Sequence, residues 1–268
     1  MYISRATLNN DMKFVRERLH FFNLDIESVP AHGMCIVGTE FHKRSCIAMY
    51  FFGTDNRENE LLDSHSNENT KQKISSILLQ TINKTSLRLT DIGFENLVTH
   101  IMITIFRLEE GSFVADSSRY IDVLNSDEYE VSELLCTKLE EAFNVKFPII
   151  ERIYIAMHLA GKKVSQCLDD TSISLDSPLF QDMCTIINNR FAIDFSEDID
   201  LFTALSLHFQ PMKSRLEYGL HIKNPLLEQI KTENTHAFEI SLVAAEVIKK
   251  HWGFTLDESE TGYIALHF

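Results

Sequence analysis

The sequence predicts a mainly α-helical protein: two homologous helical bundles, residues 70–166 and 174–268, behind a smaller N-terminal region of mixed character, residues 1–63. Three observations predict it. Two histidine-bearing motifs recur at nearly one offset. Apolar residues recur at intervals of three and four. Gly and Pro are scarce, nine and five among 268 residues, which disfavours a loop-rich or β-rich protein.

The N-terminal region opens on Ser4, a residue type that caps helices, and Arg5 to Lys13 continues as a helix. Val29 to Gly38, with Gly33 and Gly38, reads as a hairpin. Residues 55–73 are largely polar and read as a linker with some helical content. Phe94, Leu97, Val98, Ile101, Ile105 and Leu108 then mark one apolar helical face. Pro148 fits a helix start, and Ile149 to Ala160 runs on from it. Asn224-Pro225 opens a further segment, Phe238 to Trp252 forms an amphipathic helix ended by Gly253, and a last helix follows Asp257. Each bundle is expected to hold four or five helices.

The repeat is explicit. His100 to Gly111 and His208 to Gly219 both read H-x6-R-L-E-x-G, with Arg107 and Arg215 at the arginine position. Glu151 to His158 and Glu260 to His267 both read E-x2-Y-I-A-[M/L]-H, with Tyr154 and Tyr263 inside. The offsets are 108 and 109 residues. Two motifs at one offset mark a duplicated unit.

Composition excludes several classes. The net charge is −14. Residues 1–44 carry six Lys and Arg against five acidic residues, a balance of +1, so the rest carries −15 and phosphate repels it. Only the first segment is a plausible nucleic-acid contact. The five Cys are odd in number and form no CxxC pair, which argues against a disulfide framework or a zinc ribbon and favours a reducing cytoplasm. The first residues have no apolar signal-peptide core, and the longest apolar runs are too short to span a bilayer, so no membrane insertion is expected. HExxH, GxSxG, a P-loop and GxGxxG are all absent. No catalytic residue, metal site or cofactor is therefore expected, although a helical-bundle metal or small-molecule enzyme is the competing class.

The motif histidines are the chemical candidates. Helical geometry puts His100 about 110° from the centre of its helix's apolar face, with Arg107 on the same flank. Glu151, Tyr154 and His158 share one stripe, and His208 and Arg215 share a face nearer the apolar side. Structural histidines at the edge of a core would also survive a duplication. The functional reading is phosphoryl acceptance: neutral imidazole is nucleophilic near pH 7, and an arginine fork suits a phosphate.

At these motifs the sequence resembles the PTS regulation domain, or PRD, of bacterial carbohydrate-operon regulators. Asn224-Pro-Leu-Leu-Glu-Gln-Ile and the Glu260 to Phe268 stretch carry the resemblance as well. It implies tandem bundles of about five helices, dimerisation through them, and histidine phosphorylation by the carrier HPr or a sugar-specific enzyme IIB. The acceptors it implies are His100, His158, His208 and His267, supported by Arg107, Arg215, Glu151, Glu260, Tyr154 and Tyr263.

Ser4 to Lys13 is similar to the recognition helix of a winged helix-turn-helix, and Val29 to Gly38 to its wing. Ser4, Arg5, Thr7, Asn9 and Lys13 would contact operator DNA. This branch resembles the Mga-like and mannitol- or lichenan-operon activators. The helix-turn-helix reads as partial and the chain as a piece of a longer regulator, truncated at both ends. The expected function is a transcriptional regulator, in the activator branch, of a carbohydrate-utilisation operon. The alternatives are an RNA-binding antiterminator with tandem PRDs, disfavoured by the helix that opens residues 1–63, and a Mga-like virulence regulator.

Overall fold

A computed structural model describes residues 4–30, 33–51, 65–115, 121–163 and 177–268. They divide into two compact units, one drawn from residues 1–84 and 95–156, the other from 85–94 and 157–268. Among the described residues no helix is long and apolar enough to cross a membrane.

The first unit begins with α1 (Arg5–His20). Ser4 is its N-cap: the hydroxyl accepts the Thr7 amide at 3.0 Å. That satisfies one of the four donors a helix start leaves open. A hairpin follows, β1 (Asp25–Val29) against β2 (Gly33–Val37). The hairpin is longer than the run expected to form the wing, because Asp25 to Val29 supplies the first strand and pairs in register from Asp25–Val37 to Val29–Gly33. Most of its side chains are exposed, Met34 and Ile36 among them. Its base is anchored by a small core of Leu19, Phe22 and Leu24, with Ile26 and the Met49 and Tyr50 side chains of α2 (Glu40–Phe51) packed on it. Burying each of these large apolar side chains stabilises by about 1.5–3 kcal/mol.

The polar stretch 55–73 divides. Residues 55–64 lie outside the described residues, whereas the rest belongs to an 18-residue helix, α3 (His65–Ile82). Its buried Ile74, Leu78 and Ile82 recur at four and mark its apolar stripe, and the helix packs on α5 (Asp127–Phe143). Between them run α4 (Asp91–Glu109) and a 3-10 turn at Ile121–Asn125. α6 (Ile149–Ala160) starts directly after Pro148, as proline at a helix start favours.

The second unit holds α7 (Pro178–Phe191), α8 (Ile199–Tyr218), α9 (Leu227–Glu233), α10 (Thr235–Trp252) and α11 (Glu258–Ala265). Its core joins α7, α8, α10 and α11 through Phe180, Met183, Leu205, Phe209, Ala244 and Ile264. Gly253 ends α10 with φ +78° and Asp257 caps α11 by accepting the Glu260 amide at 2.9 Å, both at the expected positions.

The glycine that closes the first motif has one job in both copies. Gly111 and Gly219 sit at φ +70° and +64°, where a Cβ is strained. The next residue then turns back onto the motif arginine: Ser112 N–H to Arg107 O at 2.9 Å, and Leu220 N–H to Arg215 O at 2.8 Å. Each glycine therefore fixes the last turn of the helix that presents the arginine.

Candidate functional site

In the second unit the two motifs meet through their charged residues. Arg215 of α8 forms a fork with Glu260 of α11, Nε to Oε1 at 2.6 Å and Nη2 to Oε2 at 2.9 Å, and both are buried. The remaining donor, Nη1, bonds the Gly161 carbonyl at 2.8 Å. Gly161 leaves no room for a larger residue, since an added Cβ would lie 2.8 Å from Arg215 Cγ.

His208 lies one side of this pair, its Nε2 4.0 Å from Glu260 Oε2. That is too long for a hydrogen bond, and among the described residues Nε2 is buried without a partner. The ring stands 5.2 Å from His267 and 6.4 Å from Tyr263, centroid to centroid. Burial, then the Arg215 charge, then His267, push the His208 imidazole down to about 3, and burial also pushes His267 down. Both rings are neutral at pH 7, the state in which a ring nitrogen carries a free electron pair. Tyr263 donates its hydroxyl to the Lys223 carbonyl at 3.1 Å, so it is committed to the backbone rather than to a histidine.

His158, also in this unit, meets Lys162 one turn on, with Nζ 3.1 Å from Nδ1. Burial and the Arg215 charge push the Lys162 ammonium down to about 7.

The first unit solves the same problem with different partners. Glu151, equivalent to Glu260, is fully buried, but its fork partner is Arg44 of α2: Nη1 to Oε2 at 2.5 Å and Nη2 to Oε1 at 3.0 Å. Oε1 also accepts the Val114 amide at 2.9 Å. Arg107, equivalent to Arg215, turns to Glu40 of α2, Nε to Oε1 at 2.8 Å and Nη2 to Oε2 at 2.9 Å, and to Glu110. Arg44 bonds Glu40 too, at 3.0 Å, along with Ser112 O at 3.1 Å and Thr104 Oγ1 at 3.5 Å. All five of its N–H donors are thus used.

The electrostatics follow from this closed network. Burial raises the Glu40 carboxyl, but hydrogen bonds from Arg107 and Arg44 outweigh it and hold Glu40 below the usual carboxylate range. Burial likewise opposes the charge on Arg44, and Glu151 outweighs it. The Arg44 guanidinium lies 5.2 Å from the Tyr154 ring centre. Tyr154 OH in turn stands 3.5 Å from His100 Nδ1, and Thr104 Oγ1 donates to the His100 carbonyl at 2.8 Å. His100 is 4% exposed, not on an open flank. The helical wheel measures direction from α4's own apolar face, and here Tyr154 of α6 covers the flank it points to.

Sequence reasoning missed Glu40, Arg44 and Lys162. Glu40 and Arg44 occur once, outside both repeats, so a search for recurrence passes over them; at i, i+4 they read as an ordinary exposed helix pair.

At the N-terminus, Ser4, Thr7, Asn9 and Lys13 are exposed along α1, while the Arg5 side chain lies outside the described ones. α1 carries four Lys and Arg against two acidic residues, and Arg18 sits over the Phe14 ring at 4.3 Å. Among the described residues no group of three or more His, Cys, Asp or Glu is placed to hold a metal ion.

Comparison with known proteins extends these observations. The PRD domain matches residues 75–162 and 181–268, and the Mga helix-turn-helix domain matches residues 1–51. A probable licABCH operon regulator of Bacillus subtilis (strain 168) is 33% identical across 100% of this chain and 43% of its own length. The transcriptional regulator ManR of the same organism is 27% identical across 100% of this chain and 42% of its own. The transcription antiterminator LicT, again from that strain, is 21% identical over 67% of this chain and 66% of its own. The chain thus spans less than half the length of the first two relatives.

Proposed function

Since this chain belongs to the PRD domain family, with two copies of that domain behind a Mga helix-turn-helix domain, we propose that it is a DNA-binding transcriptional activator of a carbohydrate-utilisation operon, controlled by phosphorylation of its motif histidines. The observation that carries this reading is the doubled site: a motif histidine, the buried His100 in the first copy and the partly buried His208 in the second, stands near a buried arginine–glutamate pair, Arg44–Glu151 in the first and Arg215–Glu260 in the second. The phosphoryl donor is HPr or a sugar-specific enzyme IIB. A lone-pair nitrogen of neutral imidazole forms the new N–P bond as the donor's bond to phosphorus breaks, with no redox change. The group adds roughly −1.5 to −2 charges where buried carboxylates already sit, so the local ion pairs must rearrange. Ser4, Arg5, Thr7, Asn9 and Lys13 of the N-terminal helix serve operator DNA, and the protein works as a homodimer on a two-fold site in the cytoplasm.

The antiterminator alternative fits less well, because the N-terminal 51 residues match a helix-turn-helix domain and the antiterminator relative covers only about two thirds of this chain.

Mass mapping of the chain after incubation with phosphorylated HPr, in acid-free conditions that preserve phosphohistidine, tests the reading. Label on His100, His158, His208 or His267, and on none of the other seven histidines, is the expected result. A chain left unlabelled by active HPr and by the cognate enzyme IIB makes these histidines structural.

A further inference from the structure

The two copies of the motif differ in one respect that their sequences do not show. In the second, the arginine and glutamate bond each other. In the first, they are parted, and each takes a partner four residues apart on α2. α2 also carries Met49 and Tyr50, which pack on the small core under the N-terminal hairpin. A single helix therefore bonds the first copy's charged residues at one end and supports the nucleic-acid-binding region at the other.

We propose that Glu40 and Arg44 form a latch through which the N-terminal region reads the state of the first copy, and that the second copy displays the arrangement the first adopts when the latch opens. The proposal rests on the reading of His100 as an acceptor for its trigger, but not for the latch itself. His100 is linked to the latch by two short paths, the Tyr154 side chain and Thr104. Arg44 has no spare donor, so a dianionic group on His100 that draws the guanidinium towards itself does so at the expense of the partners it now holds, Glu40 and Glu151 among them. Arg107 then closes on Glu151 as Arg215 closes on Glu260. Glu40 loses both cations, and α2 loosens from the first copy.

Amide hydrogen exchange of the full 268-residue chain, read on peptides covering 40–51, tests this. Glu151→Gln keeps the shape and removes the charge that holds Arg44; it should speed exchange of α2 about tenfold. Glu260→Gln should leave α2 unchanged. Arg107→Glu should loosen α2, and adding Glu40→Arg should restore most of its protection. Unchanged α2 exchange in Glu151→Gln, an equal effect from Glu260→Gln, or no restoration by the charge swap each overturns the latch. If Glu151→Gln fails to fold, the charge swap alone decides. For the trigger, the chain bearing His208→Ala and His267→Ala is treated with phosphorylated HPr and followed by mass. A labelled His100 with faster α2 exchange supports the coupling; a labelled His100 with unchanged exchange overturns it while the acceptor reading stands. A chain left unlabelled at His100 by HPr and, in a second incubation, by the cognate phosphorylated enzyme IIB overturns the reading of His100 as an acceptor and leaves the latch to the variants.

Discussion

Glu151 and Glu260 stand at the same place in two copies of one motif, and their surroundings differ in who supplies the arginine. Glu260 takes it from its own copy, 45 residues away in sequence; Glu151 takes it from α2, 107 residues away. Duplication preserved the buried carboxylate and its need for a fork-shaped cation, because an unpaired buried charge is costly. It did not preserve the source of that cation. What the motif conserves is a requirement, and the fold around each copy decides how it is met.

The largest expected effects test that requirement directly. Arg215→Ala leaves Glu260 buried without a cation and should destabilise the second unit by roughly 3–5 kcal/mol. Arg107→Ala should cost only about 1 kcal/mol, because Glu40 keeps Arg44. Trp252, the single tryptophan, lies in the second unit, so its emission during urea denaturation follows that unit. Amide exchange of α4 and α6 peptides follows the first. Equal losses in the two variants would mean that the exchanged pairing has no energetic consequence.

A smaller effect concerns pH. His208 is held at about 3 in the folded chain, below the ordinary value of 6.5, so protons favour the unfolded state. Stability from keeping it neutral is complete above pH 6.5 and is lost as pH falls towards 3. Between pH 7 and pH 5 the loss should be about 2 kcal/mol by the Trp252 readout. His208→Gln should flatten that dependence; a variant as pH-sensitive as the parent would place the proton uptake elsewhere.

The smallest effect compares two helix starts. Asp257 caps α11 with its side chain and also stands 3.3 Å from His221, whereas its counterpart, Pro148, begins α6 without a side-chain acceptor. Asp257→Ala should cost about 1 kcal/mol, and Pro148→Ala distinctly less. Melting temperatures of the two variants would rank them, and a reversed order would show that the caps are not what separates these helices.

Much of the fold was legible because its signals are local. Ser4, Pro148, Gly253 and Asp257 act within one turn of where they stand, and the structure places helix boundaries at all four. The two copies were legible because recurrence at one offset needs no knowledge of contacts. The site was only half legible. The repeat drew attention to Arg107 and Arg215 as companions of the histidines on their own helices, but both are bonded to carboxylates from other elements. Glu40 and Arg44 carry no periodic signature, and nothing in a single sequence brings residue 44 to residue 151. The burial of His100 was hidden for a related reason: a helical wheel cannot show what a neighbouring helix covers.

The four-residue spacing of Glu40 and Arg44 has a consequence for swapping parts between regulators. A different N-terminal head grafted onto this chain in front of residue 65 would have to bring a glutamate and an arginine one helical turn apart, in register with two motif residues it has never met. A graft lacking them leaves Glu151 buried and charged, so the receiving bundle, rather than the new head, should be the part that fails. The head and bundle of this chain are therefore a matched set, and a chimera that tolerates the exchange should be found to carry E-x3-R where its second helix begins.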